Sequence, residues 1–478
     1  MNPESKMNQL AEYVAMAQKD TSARKRVETL FDADTFVELG AFAGNGKETS
    51  GVITGYGYVG ENLVYAFSQD VTVDNGAITK VNANKMKKLY ELAAKTGCPV
   101  VGIYDSNGAK LGQANEMLEA YGELLKASNN VSGVVPQIAV VLGTCAGTSA
   151  LVACGADFVV MSKEAELFLN APFVTTAKGE DKSAGTAEFA EKSGLASLVA
   201  EDEDKALEEV RKLISYLPLN NLAPAPLFET AQNPEGADLL AKAAGDIDNM
   251  CGKAVIEAVA DADTVVELQA EYAVGVVTAF GLVSGAAVGF VANNETKGEL
   301  DAAAAQKAAR FVRICDAFNI PVVTFVNTKG FAATACPSLV KEGSKLAHAY
   351  AEATTAKISV VCGQAIGAAY IAFASKNANA DVTVAWPTAV ISPMGLEAMV
   401  EFTSHDKLKG TENLEQSRKE LVEDYINTTA GAFKAAENGF VDAVIDPADT
   451  RAAVIRAMEM MAGKRESRLP KKHATALI

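Results

Sequence analysis

Histidine and tryptophan are nearly absent from this chain of 478 residues, which holds three of the first and one of the second. His348 stands in an alanine-rich helical stretch, His405 in a charged segment and His473 in the tail, none of them beside a glycine turn. The chain therefore has no evident histidine base. No Gly-x-Ser-x-Gly elbow occurs, so the serine-hydrolase pattern is missing too. The seven cysteines include no CxxC pair, which argues against a ribbon-type zinc site and makes reduced thiols the expected state. No apolar run approaches the ~18–20 residues of a membrane span. The opening MNPESKMNQL lacks the apolar core of a signal peptide, and a cytoplasmic location is expected. Positive charge is also short: 43 Lys and Arg against 60 Asp and Glu give a net charge of −17. That balance argues against nucleic acid and requires a local basic patch for any anionic ligand.

Small and aliphatic side chains are abundant instead. Hydrophobic residues make up 49% of the chain, aromatics only 7%, and there are 37 glycines. This composition suits α/β layers with helices packed closely on strands, and the length calls for two or more domains. The stretch Ile138–Asp157, IAVVLGTCAGTSALVACGAD, shows the pattern locally. Ile138–Leu142 reads as a buried strand, Gly143–Thr148 as a glycine-rich turn and Ser149–Ala153 as the opening of a helix. A strand that ends in glycines at a helix start leaves backbone N–H groups unpaired, aimed where negative charge can develop.

Before that stretch, residues 4–30 read as helical, Thr49–Gly57 and Asn62–Phe67 as a strand pair, Val81–Lys95 as a helix and Pro99–Tyr104 as a strand. After it come a short strand at Asp157–Met161 and helical patterns over Ala187–Ala200 and Lys205–Leu217. Pro218–Gly236, with four prolines, reads as a linker. The second half then repeats the first. Thr49–Gly57 matches Ala273–Gly281, Cys98–Val101 matches Ile320–Val323, and Asp105–Gly108 matches Asn327–Gly330. Ile138–Ala150 matches Ile358–Tyr370, with Gly143 over Gly363 and Gly147 over Gly367, and Asp157 falls over Asp381. Five matches in one order at nearly constant separation identify a tandem duplication of one α/β domain, with halves 1–236 and 237–478.

Two related domains commonly form a pocket between them. Each half then supplies one glycine turn able to hold one oxyanion. Two such holes suit transfer of an acyl or carboxyl group between two carbonyl-bearing reactants. Cys145 lies in the first turn with no histidine near it in sequence, and reads as a buried packing residue. Asp157 and Asp381, at equivalent places, read as structural turn or cap residues. Holes without a side-chain base point to a base carried by the substrate or a cofactor.

Three motifs resemble a known family. They are Gly143-Thr-Cys-Ala-Gly147-Thr148, Ala385-Trp-Pro-Thr-Ala389 with Met394-Gly395, and Gly343-Ser-Lys-Leu346 with Ala351-Glu-Ala-Thr354. They resemble the carboxyltransferase subunit of biotin-dependent acyl-CoA carboxylases and decarboxylases, of the propionyl-/methylmalonyl-CoA type. The resemblance runs from about Gly51 to Pro470-Lys-Lys-His473. It implies two tandem crotonase-like (ClpP/crotonase) domains of α/β class. It also implies an active site where the N-domain of one subunit faces the C-domain of another. The N–H groups of Gly147 and Thr148 are implied to hold the acyl-CoA thioester oxygen, and those of Ala368 and Ala369 the ureido oxygen of biotin. Gly367, Tyr370 and Ile371 are implied on the biotin side, with no metal. Lys80, Lys85, Lys87 and Lys88 cluster where the family has a basic helix start and are candidates for the CoA phosphates; a solvated helix face is the alternative. The missing base is explained if the biotin nitrogen takes the α-proton of the thioester. No Ala-Met-Lys-Met biotinylation motif and no ATP-grasp-sized segment occurs. Biotin carboxyl carrier protein is therefore implied as a partner, with biotin carboxylase or a membrane decarboxylase subunit. A dimer-based homo-oligomer, up to a hexamer, is implied as well.

The chain departs from that family in three places. Asp105-Ser-Asn-Gly-Ala-Lys110 stands for Asp-Ser-Gly-Gly-Ala-Arg, and Asn327-Thr-Lys-Gly-Phe-Ala-Ala-Thr334 for Asp-x-Pro-Gly-Phe-x-Pro-Gly. Ile371 stands where propionyl-type members carry Asp, a position associated with acyl-chain selection. Three other functions stay open on sequence. One is the decarboxylase α-subunit of a biotin-dependent sodium pump. Another is a crotonase-like hydratase or isomerase using Glu164 or Glu166. The last is a non-catalytic assembly subunit.

Overall fold

The computed structural model describes residues 3–44, 49–179, 183–294, 298–334, 336–409 and 411–475. The chain divides into two compact units, Met1–Pro226 and Leu227–Ile478, and the division falls inside the proline-rich stretch.

In unit 1, β1 (Val37–Glu38), β2 (Val52–Val59) and β3 (Asn62–Gln69) form an antiparallel edge. The sheet continues in parallel through β4 (Val100–Ser106), β5 (Gln137–Ala146) and β6 (Phe158–Ser162), with β7 (Glu166–Phe168) beside the end of β5 and β8 (Leu198–Ala200) beyond β6. The main helices are α1 (Ser22–Leu30), α2 (Lys80–Thr96), α3 (Glu116–Asn130), α4 (Thr148–Cys154) and α5 (Glu203–Tyr216). β5 is buried along nearly its whole length. A parallel strand covered on both faces requires an unbroken apolar run of this kind. Met86, Leu89, Tyr90 and Ala93 of α2 and Leu124 of α3 supply part of the cover on one face.

Unit 2 has the same strand order. β9 (Val266–Leu268), β10 (Val276–Val283) and β11 (Ala286–Asn293) are antiparallel. A separate pair, β12 (Glu299–Leu300) and β14 (Gly330–Phe331), brackets β13 (Val322–Thr328) in sequence. From β11 the main sheet runs in parallel through β13, β15 (Lys357–Ile366), β16 (Val382–Ala385) and β18 (Ala443–Val444), with β17 (Val390–Ser392) beside the end of β15. Its main helices are α6 (Gly252–Val259), α7 (Ala302–Ala317), α8 (Pro337–Glu352), α9 (Gly367–Ala372) and α10 (Thr450–Met461).

The repeat extends to single side chains. Arg211 donates to the Leu30 carbonyl at 2.5 Å and pairs with Asp32 at 2.6 Å, and Arg451 does the same with Val259 and Asp261 at 2.5 Å each. Asp157 accepts from the Gln137 N–H at 2.8 Å, and Asp381 from the Lys357 N–H at 2.8 Å. Both aspartates thus tie the start of a central strand to its neighbour. Lysines turned inward onto backbone carbonyls recur as well. Lys85 donates to the Val52 carbonyl at 2.6 Å, and Lys307 to the carbonyls of Gln269 and Tyr272 at 2.8 and 2.9 Å. Burial lowers both ammonium groups to about 8. The unfolded groups hold their protons to about 10.4. Between these values the unfolded chain binds more protons, so stability rises with pH across the window. A Lys85→Met/Lys307→Met double variant is expected to lose that rise, measured as urea midpoints at about pH 8 and pH 10.

Two readings of the sequence change. The strand at Ile138 runs on to Ala146, so Gly143 and Cys145 lie in β5 and not in the turn. Gly143 is glycine because Asp105 lies against the strand there: a Cβ at Gly143 would meet Asp105 Oδ1 at 2.1 Å. Gly363 faces Asn327 Oδ1 at 2.5 Å in the same way. Gly143→Ala is expected to cost about 1–3 kcal/mol by overpacking a pinned carboxylate, read as a lower urea midpoint. Secondly, the helical pattern over Ala187–Ala200 stops at Lys192, Gly194 takes φ +75°, and Leu198–Ala200 forms the edge strand β8.

Candidate functional site

The first turn is built by Gly147. It follows β5 with φ 64° and ψ −133°, a conformation that glycine tolerates, and nothing lies within 4 Å of where a Cβ would sit. The Gly147 N–H donates to the Phe168 carbonyl of β7 at 2.9 Å, and the Gly147 carbonyl accepts from Ala150 N–H at 3.0 Å. Gly147 therefore shapes the turn, and its N–H is not free to act as the expected donor. Among the described residues the N–H groups of Thr148 and Ser149, the first two positions of α4, meet no acceptor. The Ser149 hydroxyl is held by the Tyr121 hydroxyl at 3.0 Å. Cys145 is fully buried in β5, and burial raises its thiol far above the ordinary range, so it is a packing residue.

The second turn follows β15. Gly367 takes φ 58°, and a Cβ there would lie 3.1 Å from the Pro393 carbonyl. The Ala368 and Ala369 N–H groups meet no acceptor among the described residues. They stand at the positions that Thr148 and Ser149 occupy in the other repeat. The uncommitted N–H pair of the first repeat thus lies one residue beyond the expected Gly147 and Thr148, in register with the pair of the second repeat.

A cavity of 560 Å³ opens beside the second turn within unit 2. Gly367, Ala368, Tyr370 and Ile371 line it on one side, Ser392 and Tyr425 on another. Tyr370 is buried, and burial pushes its hydroxyl up to about 12 against the opposing pull of a hydrogen bond with the Lys376 backbone. Ile371 is 57% exposed, so the position that departs from the family pattern is a surface of this cavity and not core. Residues of the late segment such as Tyr425 and Thr429 carry no local motif, and Thr429 lies on a one-turn π-helix (Ile426–Ala430). Their part in the site is visible only after folding.

The four candidate lysines, Lys80, Lys85, Lys87 and Lys88, are not brought together on α2. Lys80 pairs with Glu119 at 3.1 Å, and Lys87 pairs with Glu123 at 2.9 Å. Lys85 turns inward to Val52 and Ser50. Of these four, Lys88 alone is exposed without an ion-pair partner among the described residues.

The altered loop has a local explanation. Asn327 Oδ1 accepts from Gln364 N–H at 2.9 Å while its Nδ2 donates to the Ile247 carbonyl at 2.9 Å. A carboxylate cannot donate to that carbonyl. At the matching place in unit 1, Asp105 faces the Arg26 guanidinium at 2.8 Å, which calls for the charge. Glu164 and Glu166 are both exposed, at and before β7.

A family model described as the carboxyl transferase domain matches residues 16–476. The methylmalonyl-CoA decarboxylase subunit alpha of Veillonella parvula is 39% identical over 481 residues, covering 96% of this chain and 93% of that one. The propionyl-CoA carboxylase beta chain of Saccharopolyspora erythraea is 38% identical over 488 residues, covering 95% and 89%. Transcarboxylase 12S, solved as a hexamer with methylmalonyl-CoA and methylmalonic acid bound, superposes with a TM-score of 0.92 at 36% identity, over 100% of this chain and 98% of that chain.

Proposed function

We propose a function from one premise: this chain belongs to the carboxyl transferase family. It is a biotin-dependent acyl-CoA carboxyltransferase of the propionyl-/methylmalonyl-CoA type, built from duplicated crotonase-like domains. The relatives include decarboxylase alpha subunits as well as carboxylase chains, so the family membership fits either direction of transfer.

The proposed site residues divide by half. In unit 1, Thr148 and Ser149 donate their N–H groups to the thioester oxygen and hold the negative charge that grows there as the α-carbon loses its proton. In unit 2, Ala368 and Ala369 hold the ureido oxygen of biotin, with Gly367 setting the turn. The cavity suits a bicyclic ring of that kind: the Ala368 turn borders an open, largely apolar space that Tyr370 and Ile371 also line. Biotin, carried on a partner protein, supplies the transferable carboxyl group and the nitrogen that accepts the α-proton. Tyr370 and Ile371 border it. Lys88 is the cation proposed for the CoA phosphates, and Lys80 joins it by giving up an exposed pair with Glu119. Lys85 is left out, since its ammonium is spent on the Val52 carbonyl. The observation that carries this reading is the pair of uncommitted N–H groups at matching places in the two repeats.

A biotin carboxyl carrier protein is the proposed partner, with biotin carboxylase or a membrane decarboxylase subunit. A homo-oligomer is proposed with it. Among the described residues no helix is long and apolar enough to cross a membrane, and a cytoplasmic location is proposed. The test is carboxyl exchange between malonyl-type CoA esters and free biotin, run over acetyl-, propionyl-, butyryl- and glutaconyl-type substrates. Exchange is expected with the methylmalonyl ester. Purified, folded protein that exchanges none of them would instead mark an assembly subunit.

A further inference from the structure

Tyr121 of α3 reaches across to the first turn of unit 1. Its hydroxyl and that of Ser149 lie 3.0 Å apart, and both residues are buried. Ser149 also carries one of the two uncommitted N–H groups of that turn. A buried pair of hydroxyls adds little to a fold over two apolar groups of the same shape.

The internal repeat shows that packing does not require the pair. The six buried positions of α3, from Met117 to Ser128, fall over the six of α8, from Leu339 to Tyr350, at one constant separation. Tyr121 therefore corresponds to Gly343. The pairing of Ile78 with Ala109 matches that of Leu300 with Phe331 at the same separation, so Ala109 corresponds to Phe331. In unit 2 the aromatic ring comes from the loop. Phe331 lies against α8, where a Cβ at Gly343 would meet the ring at 2.9 Å, and its strand β14 packs on α9. In unit 1 the ring comes from the helix, and the loop carries only Ala109. Each unit thus has one aromatic side chain at this corner, and in unit 2 a plain phenyl ring is enough. Ser149 in turn corresponds to Ala369. Neither hydroxyl has a counterpart in unit 2, and together they act on the turn assigned to the thioester.

α4 is seven residues long, so few helical bonds of its own hold its first turn. α3 is fifteen residues long and is anchored in the core through its buried positions. A side-chain bond from the long helix to the second residue of the short one fixes the direction of the Ser149 N–H. Donors already in place stabilise growing charge best. We infer, resting on the thioester site proposed above, that Tyr121 is a positioning residue for carboxyl transfer: its hydroxyl holds Ser149 so that the free N–H groups of α4 keep their aim as charge grows on the thioester oxygen.

The test compares Tyr121→Phe, Ser149→Ala and the double variant of the full-length protein, by carboxyl exchange from methylmalonyl-CoA to free biotin and by urea unfolding. Each single variant leaves one buried hydroxyl unpaired and is expected to lower the urea midpoint. The double variant has neither hydroxyl and is expected to regain it. Turnover is expected to follow a different pattern. kcat falls about fivefold in all three, the effect of one lost hydrogen bond, with KM for the ester unchanged. The two substitutions are non-additive in kcat because they break the same bond. A kcat that never falls, or that recovers with the midpoint in the double variant, overturns the inference and leaves the pair a role in the fold alone. Wild-type protein that exchanges nothing overturns the proposed function, and the inference with it.

Discussion

Thr148→Pro is expected to lower carboxyl transfer by about 10²–10³-fold while the protein stays folded. Thr148 is the first residue of α4, a position where the backbone N–H makes no helical bond and where proline fits the helix. The substitution therefore removes one free donor and little else. Its loss is felt only where charge develops, so kcat falls and KM for the acyl-CoA changes little. Thr148→Ala keeps the N–H and is expected to keep turnover. A folded Thr148→Pro enzyme with ordinary turnover would falsify the placement of the thioester oxygen at this turn.

Arg26→Leu is expected to destabilise unit 1 by about 3–5 kcal/mol. The Arg26 side chain is only 6% exposed. It reaches Asp105 at 2.8 Å and Glu203 at 2.6 Å, and donates at 3.4 Å to the Leu142 carbonyl in β5. Asp105 in turn accepts from Thr144 N–H at 3.3 Å, so the cluster braces the strand that carries the first turn. Without the guanidinium, Asp105 is a largely buried carboxylate facing no cation, which is the costly half of a broken pair. Adding Asp105→Asn is expected to recover part of the loss, because Asn327 fills the same place in unit 2 with no arginine present. The two effects are then non-additive, as neighbours in one network are. Urea unfolding followed at the unit 1 transition measures all three variants. An Arg26→Leu midpoint close to wild type would contradict the account.

The repeat could be read from the sequence because its signal is local: apolar strands, glycines and aspartates recur at near-constant spacing. Asp157 and Asp381 read as structural residues from their equivalence alone, and both hold strand starts. What could not be read depends on contacts distant in sequence. Gly143 resembles a turn glycine, but its reason for being glycine is the Asp105 side chain beside the strand. Gly147 resembles a donor, but its N–H is taken by Phe168, a residue of another strand. Lys85 looks like a neighbour of Lys88 on a basic face, yet the helix turns it toward Val52. Arg26, Tyr425 and Thr429 have no motif around them and acquire their roles from packing. The departure at Asn327 is a further instance, explained by a carbonyl some eighty positions earlier in the chain.

The central claim is that backbone N–H groups at Thr148 and Ser149 polarise the acyl-CoA carbonyl. It is tested most directly by the infrared carbonyl stretch of a ¹³C-thioester-labelled acyl-CoA bound to the enzyme. The band is expected to fall below that of the free thioester on wild-type protein and to move back toward it on Thr148→Pro. A bound band that is the same in both proteins would contradict the account.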